Sequence, residues 1–76
     1  MNKYFLHEIK ETNGVIEKGI VVKDQKNDAI QSYHAYLGAY AYGNNKETTF
    51  VSCMITDKSG CIILPYNETW NASAET

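Results

Sequence analysis

NDAIQSYHAYLGAYAYGNN, residues 27–45, is the stretch that reads as a helix, and it lies between two segments that read as hairpins. At about 100° per residue, Ile30, Tyr33, Leu37, Tyr40 and Ala41 gather on one side of the wheel, with His34 at the flank. Asp24 or Asn27 is expected to cap a helix that begins between residues 25 and 28. Gly43 is expected to end it after Tyr42, because the closing residue takes left-handed backbone.

Before the helix, KYFLHEIKE (3–11) mixes aromatic and branched residues in partial alternation, the mark of a strand. Asn13-Gly14 follows, a strong hairpin signal because both central residues of a type I′ turn need positive φ. VIEKGIVVK (15–23) is then the returning strand. A two-residue turn sets Lys10 opposite Glu17, Phe5 opposite Val22 and His7 opposite Ile20. One face of this hairpin holds Phe5, His7, Ile9, Ile16, Ile20 and Val22. The other holds Tyr4, Leu6 and Val21, diluted by Glu8, Lys10, Glu17 and Lys23. The first face is therefore expected to be the core, with Phe5→Ala costing about 3–5 kcal/mol.

After the helix, TTFVSCMITD (48–57) is a strand rich in β-branched residues, and DKSG (57–60) fits a type I turn closed by Gly60. CIILPYNETW (61–70) is the last strand. Pro65 cannot donate a ladder hydrogen bond, which places this strand at a sheet edge or puts a bulge in it. The pattern is an α+β chain of order ββαββ: one helix on one face of a four-stranded, mainly antiparallel sheet. A crossover helix between hairpins favours strand order 2-1-3-4, with 1-2-3-4 the alternative. Residues 1–70 form a single domain, and 71–76 (NASAET) are expected to be a frayed C-terminal tail.

The opening hairpin, DAIQSYHAYLGAY, VSCMITDKSGCIILPY and the closing aromatic resemble a group of small uncharacterised proteins of Gram-positive bacteria, often encoded in phages or conjugative elements. The resemblance spans about residues 3–70, and its most specific parts are Tyr33-His34 and the DKSG turn. It implies the ββαββ fold and a mobile-element setting, and brings no activity, ligand or site residue.

Composition narrows the function. A chain of 76 residues buries about 60% of its unfolded surface, which leaves little room for an enclosed catalytic pocket. The net charge is −2, and all seven cations are scattered lysines with no arginine. Nucleic acid is therefore not an expected partner, since phosphate binding needs a basic footprint. The tyrosines offer the one reading in that direction, a single-strand or small-ligand binder that stacks on them, but such platforms come with a basic groove. No apolar run suits a signal peptide or a membrane span, so a cytoplasmic protein with free Cys53 and Cys61 is expected. The triplets Asn67-Glu68-Thr69 and Asn71-Ala72-Ser73 match the glycosylation pattern by chance on that reading.

No close metal-ligand spacing occurs, although His7 and His34 could meet if the hairpin's inner face is the one carrying His7. Cys53 lies four residues from the position opposite Cys61, over about 10 Å and too far for a disulfide. There is no nucleophile elbow or phosphate loop, so neither an enzyme nor a cofactor is expected. Binding another protein, and itself, is the expected function. The helix side opposite its apolar stripe carries Gln31, Ser32, Ala35, Gly38, Ala39 and Tyr42, with no charge. Ala35, Gly38, Ala39 and Tyr42 are the candidate interaction residues, Gly38 suggesting close approach of another backbone. In the second hairpin Val51, Cys53, Ile55 and Ile63 lie on one face, and Phe50, Met54, Ile62 and Leu64 on the other. One helix cannot cover both sides of such a sheet. A homodimer through the small-residue helix side or the uncovered sheet face follows as the expectation.

Overall fold

A computed structural model of the chain describes residues 3–72. Strands β1 (Tyr4–Thr12) and β2 (Val15–Lys23), helix α1 (Lys26–Tyr40), and strands β3 (Thr48–Asp57) and β4 (Ile62–Asn71) follow in chain order. All three strand pairings are antiparallel, and the sheet order is β2-β1-β3-β4. The α+β class and the preferred strand order therefore agree with the sequence pattern. Asn13 (φ 52°) and Gly14 (φ 81°) take the left-handed backbone of the first turn, which pairs Lys10 with Glu17, Phe5 with Val22 and His7 with Ile20. The tip of this hairpin is tied to the loop before β3: the Asn13 N–H donates to the Glu47 carbonyl at 3.2 Å.

The helix lies on the other side of the sheet from the one the hairpin pattern favours. Leu6, Val51, Cys53 and Ile55 are fully buried beneath Ala29, Tyr33, Leu37 and Ala41, with Trp70 closing the far end. Phe5 and Ile9 are only half-buried, and Ile16, Ile20 and Val22 are more than half exposed. The reason is visible in the charged residues that seemed to disqualify the Leu6 face. The Lys10 ammonium sits 3.7 Å from the centre of the Tyr40 ring and 3.7 Å from the Glu17 carboxylate. The Lys10 stem thus lies along the covered side while its ammonium rests on Tyr40 and reaches toward the exposed Glu17. Glu8 remains on this side as well, and burial pushes its carboxyl above the usual value against the opposing pull of Lys10 and Lys23.

Two irregularities keep β3 and β4 aligned with this core. Pairing slips between Glu11 and Thr12, leaving Thr49 as an extra residue in β3, so Thr48 and Val51 both turn toward the helix. In β4 the register shifts between the Met54–Asn67 and Thr56–Ile62 pairs. The resulting bulge spans Ile63–Tyr66 and includes Pro65, on a strand that is also a sheet edge. Ile63 and Tyr66 from the bulge pack onto the core. Asn71 pairs with Phe50, so the strand runs into the segment expected to be frayed; residues 73–76 of that tail lie outside the described residues.

The helix ends also differ from expectation. Gln25, in extended backbone, stands at the cap position without a side-chain bond, while the expected caps lie elsewhere: Asp24 is engaged by Lys3, and Asn27 falls inside the helix. The last turn closes at Tyr40, where the Ala41 N–H donates to the Leu37 carbonyl at 2.9 Å. Tyr42 (φ 59°) joins Gly43 (φ 77°) in left-handed backbone, so Tyr42 lies beyond the helix.

Gly38 has no neighbour that explains it: a Cβ there would meet nothing within 4 Å, and its φ is not positive. The close approach inferred from its presence is not made among the described residues. Gly38→Ala is accordingly expected to stabilise the fold by about 0.5–1 kcal/mol, read from the urea midpoint, by removing the entropy cost of a helical glycine.

In the DKSG turn, the Asp57 carboxylate accepts from the Ser59 hydroxyl (2.8 Å), the Ser59 N–H (2.9 Å) and the Cys61 N–H (3.1 Å). The Ser59 hydroxyl first, and then the Cys61 amide, hold its carboxyl below the usual aspartate value. A depressed acid stabilises above its unfolded value of about 4 and loses that contribution as pH falls through the folded one. Amide exchange at Ser59 and Cys61 should therefore accelerate as pH drops below about 4, beyond the intrinsic pH trend, and Asp57→Asn should remove most of that response.

Candidate functional site

With α1 on one side, no element among the described residues covers the opposite face of the sheet, which is bare in that sense. Alternation along the strands places Phe5, His7 and Ile9 of β1 there, with Ile16, Lys18, Ile20 and Val22 of β2, Phe50 and Met54 of β3, and Ile62 of β4. Ile16 is 64% exposed, Ile20 61%, Val22 55% and Ile62 42%, so the apolar surface is concentrated on β2 and β1, while Ser52, Thr56, Asn67, Thr69 and Asn71 share the face on β3 and β4. The polar groups within it are largely neutral. His7 Nε2 lies 2.9 Å from the Thr56 hydroxyl, which ties β1 to β3. Among the described strand residues on this face, the charged ones are Lys18 and Glu11, toward the hairpin tip. A shallow depression lined by His7, Ile9, Lys18, Gly19 and Ile20 dimples the surface.

The residues expected to make the interface on the helix separate from one another. Ala35 and Ala39 are exposed on the outer side of α1. Gly38 and Tyr42 instead line a groove between α1 and the β4 bulge, together with Tyr33, His34, Leu37, Pro65, Tyr66 and Glu68. His34 packs edge-on against Tyr33 and Tyr66 in this groove, on the helix side of the sheet. His7 lies on the bare face, so the two histidines do not meet, because the hairpin presents the opposite face to the helix.

The cysteines are free and unequal: Cys53 is buried in the core and Cys61 exposed at the DKSG turn. Burial, followed by the nearby Glu8 charge, pushes the Cys53 thiol up to about 12. A thiolate is therefore scarcely accessible at Cys53, and a fast thiol reagent should label one cysteine, Cys61, in the folded chain. Equal labelling of both without denaturant would contradict this burial. Among the described residues no three His, Cys, Asp or Glu side chains are grouped so as to hold a metal ion. Among the same residues, no helix is long and apolar enough to cross a membrane.

No family model, curated protein or solved structure matches the chain. Function is accordingly argued from the surfaces themselves. The bare sheet face could not be selected from the sequence, because both hairpin faces carry large apolar residues. The signal that could have found it is the position of Lys10 and Glu17, paired on the same side as Leu6 where helix tyrosines can cover their stems.

Proposed function

We propose that the protein is a non-enzymatic interaction module that pairs with a second copy of itself through the bare sheet face. The exposed apolar residues Ile16, Ile20 and Val22 beside Phe5 and Ile9, with Phe50 and Met54 on the same face, are the observation that carries this reading. Four strands about 4.8 Å apart, each of about nine residues at 3.3 Å, make a face of roughly 20 by 30 Å, or about 600 Å². Two such faces together bury about 1,200 Å², which reaches the lower end of specific protein interfaces. A second copy also matches the charge, since Lys18 and Glu11 balance on each face and a two-fold axis brings neutral surface to neutral surface. Nucleic acid fits this face poorly, with a single lysine and no arginine on it. Nor do the tyrosines favour base stacking: Tyr33 is buried, and Tyr36 and Tyr40 pack on the core.

The small-residue side of α1 is the weaker candidate for self-association, because Ala35, Gly38 and Ala39 offer little apolar area. The cytoplasm, and a phage or conjugative element, are the proposed setting; the latter rests on the resemblance across residues 3–70 alone. Sedimentation equilibrium at about 100 μM tests the pairing, since that concentration exceeds a micromolar Kd a hundredfold. A dimer mass is expected, and a clean monomer would remove the proposal.

A further inference from the structure

The groove between α1 and the β4 bulge has a chemistry that the sheet face lacks. Tyr33, His34 and Tyr66 meet at a corner: their planes lie at 78–82° to one another and their centroids are 5.2–6.2 Å apart. Glu68 lies in the same groove, half-buried on the covered side of β4 opposite Cys53. Among the described residues its carboxylate makes no hydrogen bond or ion pair, and no lysine lines the groove. Its charge is felt in the corner, where burial first and Glu68 second push the Tyr33 hydroxyl above its usual value. At the mouth stands Tyr42, 52% exposed and held at φ 59°, a conformation uncommon for a bulky residue. Gly38 forms part of the wall and leaves open the space a Cβ would take.

We infer that this groove binds a cationic side chain, lysine or arginine, presented by a partner peptide. The half-buried Tyr66 and the exposed Tyr42 offer ring faces that attract a cation through their quadrupole, and a carboxylate with no partner among the described residues supplies the counter-charge. A neutral occupant could contact the same rings, but it would desolvate Glu68 without compensation. The groove lies on the helix side of the sheet, so this site does not depend on pairing through the bare face.

Capped arginine, capped lysine and capped citrulline, titrated into the full chain labelled for nuclear magnetic resonance, provide the test. Citrulline keeps the shape of arginine without its charge. Saturable shifts at His34, Tyr42 and Tyr66 are expected with arginine or lysine, and the stronger of the two identifies whether guanidinium or ammonium is preferred. Glu68→Gln, which preserves shape, is expected to weaken the cationic probe about fivefold or more, with amide spectra showing the fold intact. The inference is overturned if citrulline shifts the same resonances equally, if Glu68→Gln leaves the affinity unchanged, or if no probe gives saturable shifts there.

Discussion

Leu6→Ala is expected to lower the unfolding free energy by about 2–5 kcal/mol, a large part of the 5–15 kcal/mol that holds a typical domain together. Leu6 is fully buried, lies between Val21 and Ile55 across the two strand ladders, and supports the underside of α1. Removing its branch leaves a cavity that neighbours on a rigid sheet cannot collapse to fill. Phe5→Ala is expected to cost less, despite the larger side chain, because Phe5 faces the bare side and is only half-buried in the single chain. Urea unfolding of both variants, at concentrations dilute enough to keep the chain monomeric, compares them directly. A greater loss for Phe5 than for Leu6 would place the helix on the wrong side of the sheet.

The second large effect concerns association. Ile20→Glu should abolish pairing while leaving the monomer within about 0.5 kcal/mol of its original stability. Ile20 is 61% exposed in the single chain, so the charge remains hydrated there. Between two stacked faces the same carboxylate would be buried without a partner, a penalty of several kcal/mol that weakens the dimer a hundredfold or more. Ala39→Arg, on the outer side of α1, is expected to stay dimeric in the same sedimentation experiment. The opposite pair of outcomes would move the contact to the helix.

Much of the fold could be read from the chain because its punctuation is local. Asn13-Gly14 and Gly60 supply positive φ where the hairpins turn, and Pro65 excludes its strand from the sheet interior, where it indeed lies at an edge with a bulge. The register of the first hairpin follows from its two-residue turn. What could not be read is which face the helix covers, because alternation assigns two sets of residues without ranking them when both are apolar. Counting Glu8, Lys10, Glu17 and Lys23 against the Leu6 face treated charge as a mark of solvent. Lys10, stacked over Tyr40 and reaching Glu17, shows that a long side chain at the edge of a narrow helix can lie on the covered side and still keep its charge at the rim. The candidate interaction residues rest on the same local pattern. Ala35, Gly38, Ala39 and Tyr42 share a helix side only if the helix reaches Tyr42, and the left-handed backbone of Tyr42 removes it to the groove. That groove combines α1 with a bulge in β4, a meeting no spacing in the sequence announces.

The bare sheet face as the surface of self-association is tested most directly by isotope-filtered nuclear Overhauser measurements on a mixed sample, half labelled and half unlabelled. Such a sample reports only contacts between copies. Intermolecular contacts are expected among the side chains of Ile9, Ile20, Phe50 and Met54, with none at Ala35 or Ala39. Intermolecular contacts confined to the outer side of α1, or none at concentrations where the chain is dimeric by mass, would contradict it.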